Sequence, residues 1–415
     1  MAETASRLHP EADPDIAHDL VEAEEAAEEA AEEAEVTVPA STAEGVAGIA
    51  HVAATVSQAP DPLSGLSAGP RPTGLELDFP LAPPAPDGTV VEVAEGLLWA
   101  RMPMPMGLDH INIYLLKDGD GWLAVDTGLA LPHTRELWER LVSTALNGAR
   151  LTGLLCTHFH YDHAGLAAWM QERFDIPLWM TLGEFHTLRT LWAPSPEQMP
   201  PHQRRYYHQA GLPLERAQQL FDMLRSDRFV ATPPAAFRRV RHGDVMAIDG
   251  RPWQVLVGEG HSPEHACLFD AQRRLLVAGD QLLPRISSNL MVSPTEPEAD
   301  PLARWFESLD RLDALPEDTL VLPSHDEVFR GVHRRTHMLR WHHRRTLDRL
   351  GQRLIQGRQE GGCTATQAMA ALYPRLRGPM DEMLALGETL AHLNWLLRQG
   401  HITRSLDAQG VHRYA

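Results

Sequence analysis

Lysine is nearly missing from this 415-residue chain: Lys117 is the only one, and arginine supplies the rest of its 37 basic residues. Such a bias points to a GC-rich bacterial genome. Cysteine is scarce too. Cys156, Cys267 and Cys363 cannot build a disulfide framework in a chain of this length, which excludes the small stapled secreted scaffolds. There is no run of 18 apolar residues, so no membrane-spanning helix is expected. The opening stretch MAETASRLHPEADPD has neither the basic nor the apolar region of a signal peptide. The expectation is a cytoplasmic protein that makes no use of a membrane. No repeat of fixed period is visible, which excludes solenoids and propellers.

Charge is present but unevenly spread. The formal net charge is -19, and residues 1–36 alone carry -12, from 13 acidic residues against Arg7, leaving -7 for the rest. Net charge of the body therefore argues neither for nor against nucleic acid. The stretch EAEEAAEEAAEEAE at 22–35 favours helix but has no apolar stripe to bury. Residues 1–75 read as an acidic, disordered extension, and residues 76–88 as a proline-rich linker. From residue 89 the pattern is that of a folded body.

Apolar β-rich runs joined by turn residues come first, with DGDG at 118–121 as a hairpin signal. TRELWERLVSTALN has helical spacing, LTGLLCTH reads as a short buried strand, and HAGLAAWMQERF opens a helix behind it. Strands return at RPWQVLVGEGH, ACLFDAQRRLLVAGD and TLVLPSHD, with LARWFESLDRLDAL as a helix between the last two. This alternation predicts a layered α/β core over 89–330. A long Arg/His-rich helix is expected after residue 330. The tail then reads as helix, helix, hairpin, so 331–415 is expected to be an Arg-rich helix followed by a winged-helix-like domain.

The stretch CTHFHYDHAG at 156–165 crowds three histidines and an aspartate into six positions, His158 to His163. It follows a buried strand, where the chain turns and neighbouring side chains can face one spot. Imidazole nitrogen and carboxylate oxygen suit Zn²⁺ or a similar first-row ion. Four such groups do not complete two sites, and partners of the same kind recur downstream. His261, Asp280 and His325 each follow an apolar β run, and in a layered α/β protein such strand ends converge on one edge. Seven ligands fit two ions: His158, His160 and His261 on one, Asp162, His163 and His325 on the other, with Asp280 between them. With 22 histidines in the chain some crowding arises by chance, and His110 and His265 read as supporting residues rather than ligands.

THFHYDHAG resembles the HxHxDH signature of the metallo-β-lactamase superfamily, and the later GH, GD and SH positions fall in that family's order. VDTG at 125–128 resembles an early strand-end motif of the family, in which Asp126 would be structural. The tail resembles the winged-helix domain of the lactamase-β-like group. The resemblance implies a four-layered αβ/βα sandwich with a C-terminal winged-helix domain and two divalent ions at one edge, Zn²⁺ foremost and Mn²⁺ or Fe²⁺ as alternatives. His160, where redox di-iron members usually carry Glu, points to the hydrolases. Asp280, where zinc β-lactamases usually carry Cys or Ser, points to glyoxalase II-like and RNA-processing members.

The expected activity is metal-dependent hydrolysis of a small ester or thioester by an activated water, with Asp162 ligating one ion and orienting the nucleophile. Arg285 is a candidate for holding an anionic substrate group, and Tyr206 and Tyr207 for covering the site as a lid. An endoribonuclease is the alternative, because residues 330–358 hold nine arginines that could contact phosphates, with the segment 22–35 folding back to screen them. A further alternative is a non-enzymatic regulator that binds nucleic acid through the winged helix. Seven ligands around open water argue against it, because a structural ion needs four closed ligands.

Overall fold

A computed structural model describes residue 63 and residues 66–192, 196–226 and 232–415. The expectations for residues 22–35, and for most of the extension, lie outside the described residues. Among the described residues the first sheet has seven strands in chain order: β1 (Val90–Ala94), β2 (Leu97–Pro103), β3 (His110–Asp118), β4 (Gly121–Val125), β5 (Leu151–Leu155), β6 (Leu178–Met180) and β7 (Arg238–Arg239). The first four pair antiparallel and the last four parallel. Parallel pairing requires crossovers. These are supplied by α1 (Pro132–Ser143), by α2 (Tyr161–Ala164) with α3 (Ala167–Phe174), and by α4 (Leu182–Trp192), α5 (Pro201–Ala210) and α6 (Leu214–Ser226).

The second sheet contains β8 (Val245–Ile248), β9 (Arg251–Gly258), β10 (His265–Asp270), β11 (Leu275–Gly279), β12 (Leu320–Pro323) and β13 (Phe329–Arg330), in the spatial order β13-β12-β11-β10-β9-β8. Helix α7 (Pro301–Asp313) makes the crossover between the parallel strands β11 and β12. Asp300 caps it by accepting from the Ala303 amide, and Leu302, Trp305, Leu309 and Leu312 form its buried face, with Phe306 only half-buried. That spacing places one apolar stripe against the sheet.

Three apolar clusters define the layers. Trp99, Tyr114, Leu123 and Leu155 of the first sheet meet Trp253, Val255, Leu268 and Leu322 of the second. Leu137, Trp138 and Leu141 of α1, with Met170 of α3 and Leu188 of α4, cover the outer face of the first sheet. The outer face of the second is covered by α7 and by α8 (Val332–Gly357). The result is the expected four-layered αβ/βα arrangement.

The tail consists of α9 (Ala365–Leu372), α10 (Pro379–Arg398) and the hairpin β14 (Arg404–Leu406) with β15 (His412–Tyr414). A capping box between Thr364 and Gln367 starts α9. The tail packs against the second sheet's outer layer. Leu276 and Ala278 of β11, Leu350 of α8, Leu390 of α10 and Tyr414 of β15 belong to one continuous apolar cluster. Residues 63 and 66–78 also lie along this side: Leu63 joins the same cluster, the Gly69 carbonyl accepts from the Trp341 indole, and Asp78 bridges to Arg330. No helix among the described residues is long and apolar enough to cross a membrane.

Candidate metal centre

Five strand ends meet at one edge. β4 delivers Asp126, β5 the His158–His163 loop, β9 His261, β11 Asp280 and β12 His325. Of the seven residues expected to ligate, His158, His160, His261 and Asp280 form one group and Asp162, His163 and His325 another, each with ligand atoms within 4.8 Å of one another. Nδ1 of His160 and Nε2 of His261 lie 2.8 Å and 3.3 Å from Nε2 of His158. Asp162 Oδ2 is 3.3 Å from His163 Nε2 and 3.4 Å from His325 Nε2. Asp280 stands between the two groups: its Oδ2 is 3.4 Å from both His163 and His261, and its Oδ1 is 3.5 Å from His325.

Outer partners fix which nitrogen each ring presents. His261 Nδ1 donates to the Asn289 carbonyl and His325 Nδ1 to the His110 carbonyl, each at 2.9 Å. His163 Nδ1 lies 2.9 Å from Asp126. These bonds turn Nε2 inward on all three rings, the usual support for a ligating histidine. Asp126 also accepts from the amide of Thr157 at 2.7 Å, and it sits at φ +64°, a strained backbone held where β4 ends. His265, buried beneath, accepts the Asp280 amide at 3.0 Å. A side chain at residue 279 would strike that ring: a Cβ there would lie 2.4 Å from His265 Cε1. Hence the glycine before Asp280.

One supporting residue carried no signal in the sequence reading. Glu184, in the first turn of α4, is fully buried and accepts from the Phe159 amide at 3.0 Å, the Ser262 hydroxyl at 2.7 Å and the Glu264 amide at 2.6 Å. It ties the His158–His163 loop to the His261 loop. Burial pushes its carboxyl up to about 7, against the pull of those donors.

The electrostatics ask for positive charge. Burial, with His261 alongside, pushes His160 down to about 3, and burial with His163 alongside pushes His158 well below the usual range, so both rings are neutral. Burial also opposes charge on Asp162 and Asp280, but His163 and His325 hold both carboxyls well below the usual range. His163 is raised in spite of its burial by Asp162, Asp280 and Asp126. A proton on His163 thus stands where the carboxylates demand a cation. His163 Nε2 and Asp280 Oδ1 are buried without a hydrogen-bond partner among the described residues, a cost that coordination removes. Neutral His158 and His160, ionised Asp162 and Asp280 and the orphaned donor atoms fit divalent metal ions.

Arg285 and Tyr206 engage other parts of the chain. Arg285 is paired with Glu327 through contacts of 3.0–3.2 Å and lies over the Phe79 ring, more than half exposed. Tyr206 and Tyr207, on α5, are buried in the apolar cluster of the second sheet, where the Tyr206 hydroxyl donates to the Val292 carbonyl at 2.7 Å. The arginines of 330–358 are largely spent within the chain. Arg334 pairs with Glu317, Arg340 with Asp310 and Asp313, and Arg335 and Arg349 donate to main-chain carbonyls.

The family model of the metallo-beta-lactamase superfamily matches residues 106–325, and that of the metallo-beta-lactamase-like C-terminal domain matches residues 352–415. A crystal structure of a beta-lactamase domain protein from Burkholderia ambifaria is 38% identical, has a TM-score of 0.70 and covers 82% of this chain and 98% of that one. A probable metallo-hydrolase, YqjP, from Bacillus subtilis (strain 168) is 27% identical over 332 residues, 77% of this chain and 97% of its own length. A hydroxyacylglutathione hydrolase from Rhizobium meliloti (strain 1021) is 27% identical over 197 residues, 47% of this chain and 57% of its own length.

Proposed function

This chain belongs to the metallo-beta-lactamase superfamily, and on that premise we propose that it hydrolyses a small thioester or ester at a binuclear centre. It is a metal-dependent hydrolase; the ligand assignment and the substrate class are our reading. In that reading His158, His160 and His261 hold one divalent ion, Asp162, His163 and His325 hold a second, and Asp280 serves both. The observation that carries it is the Asp280 carboxylate, whose Oδ2 lies 3.4 Å from His261 of the first group and 3.4 Å from His163 of the second, with Oδ1 3.5 Å from His325. Zn²⁺ is the ion we favour, on the strength of five imidazoles and two carboxylates.

Divalent ions held there supply Lewis acidity at the scissile carbonyl and a nucleophilic oxygen at neutral pH. The chain's own groups do the rest. Asp162 is ionised and partly open to solvent, with 18% of its side chain exposed, so it can accept a hydrogen bond from an attacking water and orient it. Asp126, Asn289 and the His110 carbonyl hold three of the rings in their working tautomer. The water oxygen adds to the acyl carbon, the carbon–sulfur bond breaks, the sulfur departs as thiolate and the acyl group as carboxylate, and the two water protons pass to solvent. With a thiol pKa near 8.5, that leaving group needs little help from an acid at neutral pH. The named activity of the Rhizobium relative, on a glutathione thioester, supports this class. The three buried thiols support a reducing, cytoplasmic location.

A panel of acylglutathione and acyl-coenzyme A thioesters, aryl esters and single-stranded RNA, run on one sample of known metal content, tests the proposal. Turnover of a thioester or ester, lost in Asp162→Asn, is expected. Cleavage of RNA with all acyl substrates inert would replace our reading with the nuclease one.

A further inference from the structure

Behind the second sheet lies another gathering of imidazoles that the hydrolytic chemistry does not use. His343 is on α8, and Glu388 and His392 are one turn apart on α10; each offers a ligand atom within 4.8 Å of the others. His343 and His392 are 0% exposed, and Glu388 is half-buried. The Nδ1 of His343 stands 3.4 Å from the Nε2 of His392. That spacing is long for a hydrogen bond between two nitrogens. It matches two imidazole nitrogens on one tetrahedral ion, which are about 3.3 Å apart when each is about 2.05 Å from the metal. Residues at i and i+4 share one helix face, and helical bundles hold metals with Glu and His side chains that project from facing helices.

We propose that His343, Glu388 and His392 form a separate site for one divalent transition-metal ion of the Zn²⁺ class, fastening α10 to α8. The surroundings are those of a supported site. His392 Nδ1 donates to the Glu388 carbonyl at 2.9 Å, which leaves the Nε2 lone pair facing His343. The other nitrogen of His343 is 3.3 Å from the Ser287 hydroxyl, and Asn289 donates to the Glu388 carboxylate at 2.7 Å. Both partners orient ligands from outside the site. Burial keeps both rings neutral, His392 at about 4, the form that ligates. Arg335 and His342 also face His343, and the Arg335 guanidinium is held by the carbonyls of Leu283 and Ile286. Glu388 supplies the charge that opposes them. Two histidines and one glutamate leave a coordination position for water.

The site would also be wired to the strand-end centre. Asn289 gives its side-chain amide to Glu388, and its own carbonyl accepts from His261. Asn289 thereby touches both sites, through its side chain at one and its carbonyl at the other. The proposal stands whatever acyl substrate that centre takes.

The test is a zinc count. Full-length protein is stripped with chelator, dialysed against Zn²⁺ and analysed by inductively coupled plasma mass spectrometry, alongside His392→Gln, Glu388→Gln and the first-centre variant His158→Gln/His163→Gln. Circular dichroism establishes that each is folded, and half-buried Glu388 provides the variant least expected to disturb packing. We expect His392→Gln and Glu388→Gln each to lose one zinc per chain. The first-centre variant keeps that zinc, and when loaded with Co²⁺ it shows the visible absorption of a four-coordinate ion. An equal zinc count in the wild type and both cluster variants, or a first-centre variant that binds no zinc, overturns the proposal and leaves a histidine pair.

Discussion

The strand-end centre and the His343–Glu388–His392 cluster use the same kinds of side chain but differ in what holds them. At the first, each ligand follows a strand whose neighbours are fixed by ladder hydrogen bonds. The supports reach it from several directions: Asp126, Glu184, His265 and the carbonyls of His110 and Asn289. At the second, the ligands rest on two helices that face each other across an apolar cluster, and the polar support comes from Ser287 and Asn289. A site built on paired strand ends is fixed by the sheet itself. A site between helices is only as fixed as their packing, so an ion there acts as a fastener as well as a guest.

The largest effect is expected from Asp280→Ala, which strips the carboxylate shared by both histidine groups. Turnover and metal content should fall by more than the roughly 100-fold typical of losing an outer partner, measured by steady-state kinetics with metal analysis. A variant that keeps its metal and its rate would break the shared-carboxylate reading.

Glu184→Gln comes next. Removing the clamp between the two ligand loops should weaken metal affinity by about 10–100-fold in a chelator competition. The same variant carries a pH signature. The Glu184 carboxyl is raised in the fold from 4.5 to about 7. Its contribution to stability is therefore complete below about pH 4.5 and is lost as pH rises through about 7, because the folded state binds the extra proton in that window. Urea midpoints taken across this range should fall more steeply for the wild type than for the glutamine variant, and parallel profiles would mean that burial does not shift the group.

Asn289→Ala sharpens the contrast between the two regions. It removes the amide held by Glu388 but keeps the carbonyl that accepts from His261. A loss of about 1.5 kcal/mol in unfolding free energy with turnover little changed is expected, since one hydrogen bond to a charged acceptor is lost. If turnover falls with stability, the two regions are coupled more tightly than one carbonyl allows.

The smallest effect belongs to Arg285→Ala. Its exposed pair with Glu327 should contribute within about 1 kcal/mol to stability. A tenfold or larger rise in KM would instead return Arg285 to the role of holding an anionic substrate.

Much of the first centre was legible in the sequence because its residues carry local marks. His158 to His163 are contiguous, and His261, Asp280 and His325 each close an apolar β run, so strand identity and ligand identity could be read together. The four layers were legible for the same reason: period-two and helical runs alternate in order. Glu184 was not, because a glutamate in the first turn of a helix looks like any surface acid until the fold buries it against two loops. Arg285, Tyr206 and Tyr207 were singled out for their chemistry; the fold pairs Arg285 with Glu327 and has the Tyr206 hydroxyl donate to the Val292 carbonyl, contacts that no sequence pattern marks. The tail was read as a domain of its own, and a C-terminal domain family model matches residues 352–415; its helices also join an apolar cluster with β11 and α8, which the sequence did not mark.

By itself, then, the sequence determined which side chains could bind metal and that they would stand at strand ends, because side-chain chemistry and backbone periodicity are local properties. Only the tertiary structure decided that Asp280 stands between two histidine groups, that Glu184 lies buried against the ligand loops, and that His343 meets His392 across two helices. Those are contacts between residues 25 or more positions apart, and their geometry is set by how sheets and helices pack rather than by any residue's neighbours in the chain.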